Sequence, residues 1–166
     1  MKLALMIIDL QKAYYQQESQ KSIDSAVEYI NAVLPWFRQK KYPVIWVQDV
    51  DTEDGVVPGE ESFDLIDSLS PLEGEYFIHK HYGNSFNKTN CAEIILENKI
   101  DMVIMTGFCA EYCVLSTYRG ALDRDLTPVL LKNGIASVSP ENLKMVEDIS
   151  NIISYGVLKK MFEDAK

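Results

Sequence analysis

Three side chains able to do chemistry follow apolar runs in this 166-residue sequence: Asp9 after Leu3 to Ile8, Lys80 after Tyr76 to Ile78, and Cys113 beyond Met102 to Thr106. Cys113 is expected to open a helix. A thiol at a helix N-terminus feels the positive end of the dipole, and a nearby lysine adds to that field; both favour thiolate and lower the thiol pKa. A carboxylate in the same place can take the thiol proton and later return it to a leaving group. Lys80 would hold that carboxylate ionised and oriented. Acyl transfer also needs donors for a developing oxyanion, and backbone N–H groups of the Gly107 to Cys113 turn could supply them. Taken singly, each residue has an ordinary reading: a strand-end Asp as a cap, a Lys as a solvated charge, a Cys as a small buried hydrophobe. Their shared position at successive strand ends is what joins them.

The elements that must bring them together are legible from the apolar pattern. Leu3 to Ile8 is too short for a helix and apolar throughout, as a strand buried on both faces requires. Pro43 to Val47, Tyr76 to Ile78, Met102 to Thr106 and Pro128 to Leu131 repeat the pattern. Between them, Ile23 to Gln39 places Val27, Ile30, Val33, Leu34 and Phe37 at helical spacing. Cys91 to Asn98, capped by Thr89 or Asn90, and Cys113 to Asp123 also read as helices. Pro140 starts another through about Ile149. Alternation of this kind predicts an α/β fold: a three-layer, doubly wound sheet of about six mainly parallel strands with helices on both faces. Ligands of such sheets bind beyond the carboxyl ends of the strands. The segment 49–69 is acidic, contains Gly55, Pro58 and Gly59, and shows only a weak helical pattern near Ser62 to Ser68. Long loops of that kind usually cover a site or lie disordered.

The whole chain, 1–166, reads as one domain, since 47% hydrophobic residues suffice for a full core and no composition break divides it. A formal charge of −9 disfavours nucleic acid and anionic membrane surfaces as partners. Three cysteines, Cys91, Cys109 and Cys113, form neither a disulfide framework nor a zinc pattern, which suits a reducing cytoplasm. No cleavage pattern follows Lys2 and the first apolar run, and no run approaches the ~18 apolar residues of a membrane span.

Val103 to Ala121, VIMTGFCAEYCVLSTYRGA, closely resembles the nucleophile segment of isochorismatase-like cysteine hydrolases, usually GxxTDxCVxxTAxxA. Ile7 to Gln11 resembles that family's first-strand signature, and IHKHYGNSF, Ile78 to Phe86, its lysine segment. The likeness runs nearly the whole chain and includes Gly134-Ile135-Ala136 after strand five. It implies Cys113 as nucleophile, Asp9 as base and acid, and Lys80 as electrostatic partner. It further implies a non-proline cis peptide between Phe108 and Cys109 and an oxyanion hole from the N–H groups of Cys109 and Cys113. A homodimer or homotetramer is implied as well.

Departures bear on substrate. Metal-containing nicotinamidases of the family carry an Asp-x-His pair after strand two, where this chain has Asp49-Val50-Asp51; its only histidines, His79 and His81, flank Lys80 on a strand end, where alternation turns them to the side opposite Lys80. No catalytic metal and no other cofactor is expected. Ala110 stands for the usual Thr, Glu111 for Asp, Asp125 for Gly, and Tyr118-Arg119-Gly120 for Ala-Arg-Asp. Tyr14, Tyr15, Tyr82, Phe86 and Tyr112 could wall an apolar pocket for a small-molecule substrate, or simply pack the sheet edge. The reading is a metal-independent cysteine hydrolase that cleaves a C–N bond of a small amide through a thioester. Two alternatives stand beside it: vinyl ether hydrolysis of the isochorismatase type, disfavoured by the few cationic residues, and a non-catalytic binding module.

Overall fold

A computed structural model describes residues 1–164. Six parallel strands form one sheet in the order β3-β2-β1-β4-β5-β6: β1 Leu3–Ile8, β2 Val44–Asp49, β3 Tyr76–Lys80, β4 Met102–Gly107, β5 Thr127–Ile135 and β6 Ile152–Ile153. The helices are α1 Gln17–Gln39, α2 Cys91–Glu97, α3 Leu115–Leu122, α4 Pro140–Asp148 and α5 Tyr155–Asp164. Strand side chains alternate between the faces, so one sheet feeds two cores. Leu3, Leu5 and Ile7 of β1 pack towards α1 and α5 with Phe37 and Phe162. Ala4, Met6 and Ile8 pack the other way, with Ile94 of α2, Tyr118 of α3 and Val146 of α4. The three-layer, doubly wound expectation holds, and every strand pairing is parallel.

Several boundaries moved outward from those the apolar pattern marked. Helix α1 begins at Gln17, ahead of Ile23, because Gln16 and Ser19 close a reciprocal capping box that starts the helix in a polar stretch. Strand β5 runs to Ile135 through the left-handed Asn133, past the charged Lys132 that interrupts its apolar run. Asp125, standing where relatives carry Gly, has φ +57°, a conformation that Asp tolerates better than most residues. At the start of α4, Ser139 caps Asn142 N–H ahead of Pro140.

The segment after β2 is ordered and closes onto the sheet end. Phe63, Ile66 and Leu69 are buried, Gln11 bridges to Leu65, and Asp51 bridges to Val56. Gln11 Nε2 and Gln48 Nε2 both donate to Phe63 O, at 3.1 and 2.9 Å. Most of the acidic side chains face water, while Val56 joins these three apolar ones in anchoring the loop.

Candidate active site

The chain reverses direction across the sheet between β1 and β4, so the crevice for a ligand opens where these two strands end. Asp9 follows β1 directly with φ +52°, its N–H bonded to Val47 O at 2.9 Å. Lys80 ends β3 in register with Asp49 of β2. From there its long side chain crosses β2 to reach Asp9. Cys113 lies in a single π-helical turn, Ala110–Val114, that leads into α3. Turns of this class recur at functional sites.

Backbone bonds fix the approach to that turn. Phe108 N–H donates to Ile8 O at 2.9 Å, Ala136 N–H to Gly107 O at 2.9 Å, and Ala110 N–H to Ala136 O at 2.8 Å. The ends of β1, β4 and β5 are thereby tied together. Gly107 has φ +119°, and a Cβ there would stand 2.1 Å from Ile8 O, so only glycine fits. The Phe108–Cys109 peptide is cis, as the resemblance implied.

Asp9, Lys80 and Cys113 do meet. Lys80 Nζ stands 2.8 Å from Asp9 Oδ2 and 3.4 Å from Cys113 Sγ. It also pairs with Asp49 Oδ1 at 2.8 Å. Asp49 Oδ2 in turn accepts the Tyr14 hydroxyl at 2.7 Å. Gln11 locks the Asp49 backbone from both sides, accepting its N–H at 2.7 Å and donating to its C=O at 3.0 Å. Asp9 and Lys80 are fully withdrawn from solvent, whereas Cys113 is half-buried. Among the described residues, neither Asp9 oxygen has a hydrogen bond of good geometry, its contact with Lys80 being an ion pair, so the carboxylate keeps capacity to accept a proton.

The electrostatics reverse one expectation. Burial, and then the charge of Asp9, push the Cys113 thiol above its ordinary pKa, and Lys80 offsets this only in part. The resting sulfur is a thiol. The expectation counted the helix end and the lysine but not the burial of the thiol, nor the Asp9 charge as acting against the thiolate. Burial also raises Asp9 to about 6, although Lys80 works against it. For Lys80, burial alone would lower the pKa, but Asp9, the Cys113 sulfur and Asp49 hold it above the ordinary value. Near neutral pH Lys80 is therefore an ammonium, Asp9 a carboxylate and Cys113 a thiol.

The sequence profile of the isochorismatase domain matches residues 3–148. The chain belongs to the isochorismatase family. An uncharacterised isochorismatase family protein of Bacillus subtilis, YrdC, is 31% identical over 71% of this chain and 65% of its own length. The chain thus spans slightly less than two thirds of that relative. An N-carbamoylsarcosine amidase of Arthrobacter is 26% identical over 72% of this chain and 49% of its own length. In fold, an isochorismatase-like hydrolase of Alkaliphilus metalliredigens superposes with a TM-score of 0.88, covering 97% of this chain and 96% of that one at 21% identity.

Within this isochorismatase-family site the aromatic candidates separate. Tyr14 lies at the centre, bonded to Asp49 and with its ring 6.1 Å from that of Phe108. Tyr112 neighbours Cys113 and is 69% exposed, free to meet a ligand. Tyr82 is exposed beneath the Lys88 ammonium, which donates to its hydroxyl at 3.1 Å. Phe86 is buried in the core under Arg124, and Tyr15 bonds Asp24 on α1, so both serve packing. Asp49 and Gln11 were not singled out by sequence reasoning. Asp49 ends a strand just as Asp9 follows one, and that shared position was the available signal.

A metal of the nicotinamidase kind does not fit these donors. Asp49 is committed to Lys80 and Tyr14, Asp51 caps the turn at Glu53 and Asp54, and His79 packs edge-on against Phe63. Among the described residues no three His, Cys, Asp or Glu side chains gather in ligating positions. Among them, too, no helix is long and apolar enough to cross a membrane.

Proposed function

We propose that this protein hydrolyses a C–N bond of a small amide through a thioester on Cys113, without a metal. The observation that carries the reading is the contact of one buried lysine with both Asp9 and Cys113. Asp9 takes the Sγ proton as sulfur adds to the substrate carbonyl, and the C=O electron pair moves onto oxygen. N–H groups of Cys109 and Cys113 receive that oxyanion. Collapse of the intermediate breaks the C–N bond, and Asp9 returns the proton to the departing ammonia or amine. Water then adds to the thioester with Asp9 again taking a proton, and the acid leaves as the thiol re-forms. Lys80 stays charged throughout and stabilises whichever partner is anionic.

A thiol with a raised pKa suits this sequence, because deprotonation is coupled to attack and needs no standing thiolate. The similarity to an N-carbamoylsarcosine amidase supports a C–N bond as the target. Around the reacting atoms Lys80 is the cation, and two carboxylates engage it, which supports an uncharged substrate over a dianion such as isochorismate. The test is a screen of nicotinamide, pyrazinamide, N-carbamoyl compounds and biuret-like imides with wild type and Cys113→Ala side by side. Turnover by wild type alone is expected; equal turnover by Cys113→Ala would refute the thioester. We further read the assembly as a cytoplasmic homodimer or homotetramer, for which sedimentation at more than the 18.9 kDa of one chain is the check.

A further inference from the structure

Beside the reacting trio, a second polar cluster gathers around Glu111 of the nucleophile turn. Glu111, two residues before Cys113, accepts on both carboxylate oxygens. Oε2 takes the Cys109 thiol at 3.0 Å, while Oε1 takes the Ser137 hydroxyl at 2.9 Å and Asn142 Nδ2 at 3.0 Å. The donors come from three places: the turn itself, the segment after β5, and the first turn of α4. Ser137 and Asn142 are held from behind. Ser137 Oγ accepts Ser139 N–H at 3.0 Å, Ser137 N–H donates to Ser22 of α1 at 3.1 Å, and Asn142 N–H donates to the Ser139 cap at 3.2 Å. Burial would raise the Glu111 pKa, but bonds from Asn142, Cys109 and Ser137 outweigh it and keep the group below its ordinary value, hence ionised. Burial and the neighbouring Glu111 push the Cys109 thiol up to about 12, so its proton stays available to donate.

Such a cluster sits badly with a merely solvated acid. The turn from Cys109 to Val114 is short, and Cys109 O already receives both Tyr112 and Val114 N–H. Phe108 and Ala110 N–H tie the start of the turn to Ile8 and Ala136, and the Glu111 side chain adds a tie from the turn to Ser137 and α4. We infer that Glu111 is a positioning residue for the oxyanion-binding turn, clamping Cys109 and Cys113 to the Ser137 segment and to α4 so that their N–H groups converge on one point. The inference rests on the reading of Cys113 as nucleophile and of those N–H groups as the oxyanion hole.

Two reactions of Cys113 separate this role from general support of the fold. Alkylation by iodoacetamide forms an S–C bond, expels iodide, passes the thiol proton to Asp9 and creates no oxyanion. Addition of 3-pyridinecarboxaldehyde forms an S–C bond, moves the C=O pair onto oxygen and places that oxygen in the hole, with the thiol proton completing the hydroxyl. Aldehyde binding is read as protection of Cys113 from alkylation. In Glu111→Ala, alkylation should stay within about twofold of wild type while aldehyde affinity falls about tenfold or more. Ser137→Ala, which shortens the clamp from its other end and leaves the turn sequence intact, should fall in the same direction by less. Glu111→Asp, which keeps the carboxylate, should recover part of the loss. Wild-type aldehyde affinity in both Glu111→Ala and Ser137→Ala would overturn the clamp, as would equal losses in both reactions by a folded Ser137→Ala. Wild-type protein that alkylates at Cys113 but takes up no aldehyde would instead overturn the oxyanion reading beneath it.

Discussion

Lys80 Nζ and Asp49 Oδ1 lie 2.8 Å apart at the ends of adjacent parallel strands, the same distance at which Lys80 meets Asp9. One buried ammonium thus answers two carboxylates, and the pair-by-pair view of a catalytic trio leaves out half of its balance. Lys80→Met should leave Asp9 and Asp49 facing one another with no cation. Loss of one member of a buried pair typically costs about 3–5 kcal/mol. A urea midpoint lowered accordingly is expected, and partial recovery in Lys80→Met/Asp49→Asn would locate the cost in the stranded charges.

Asp49→Asn alone should act on Asp9. Burial is the main reason that Asp9 is raised to about 6, but the negative charge of Asp49 adds to it, and the substitution leaves Lys80 to Asp9. The Asp9 carboxyl should therefore ionise at lower pH. In a profile of kcat/KM against pH, the acid limb is expected near pH 6 in wild type and further to acid in Asp49→Asn. An unmoved limb would mean that another group sets it.

Stability should depend on pH through the same residue, with a sign opposite to that of an ordinary ion-paired aspartate. The Asp9 carboxyl is raised on folding from 3.8 to about 6, so between those values the folded chain binds a proton that the unfolded chain has released. Unfolding free energy then falls as pH rises through this window, and the contribution is present below about 4 and lost above about 6. Asp9→Asn should lack this component. Urea midpoints at pH 4 and pH 7, compared between wild type and Asp9→Asn, measure it as a difference of differences.

Most of this architecture was legible because its signals are local. A strand buried on both faces must be apolar, and Leu3 to Ile8 or Met102 to Thr106 could be little else; their alternation with amphipathic helices then selects a parallel sheet. The trio was legible for a related reason, since strand ends in such a sheet face one crevice. What stayed hidden depends on how charges are shared. Asp49 looked like one more acid in an acidic stretch, and nothing in its neighbours says that it holds Lys80. The Cys113 thiol was expected low because the sequence shows the helix end and the lysine and not the burial that outweighs them. Glu111 stood out only as a departure from the family's usual Asp, its three donors lying up to 31 residues away.

The tie between the strand ends makes the sharpest prediction, at Gly107. Its φ of +119° disfavours any side chain, a conformational cost of about 1–3 kcal/mol by itself. A methyl group would in addition fall 2.1 Å from Ile8 O and 2.6 Å from Ile8 N, backbone atoms that cannot swing aside. Those atoms precede Asp9 by one residue, and Ile8 O accepts Phe108 N–H at the entrance to the nucleophile turn. Gly107→Ala should therefore displace β1 from β4 where both present reacting groups. The expected result is a lowered urea midpoint together with a loss of Cys113 alkylation out of proportion to it under conditions where the variant remains folded. A fully reactive Cys113 in a folded Gly107→Ala protein would show that the two strand ends need not be held this closely.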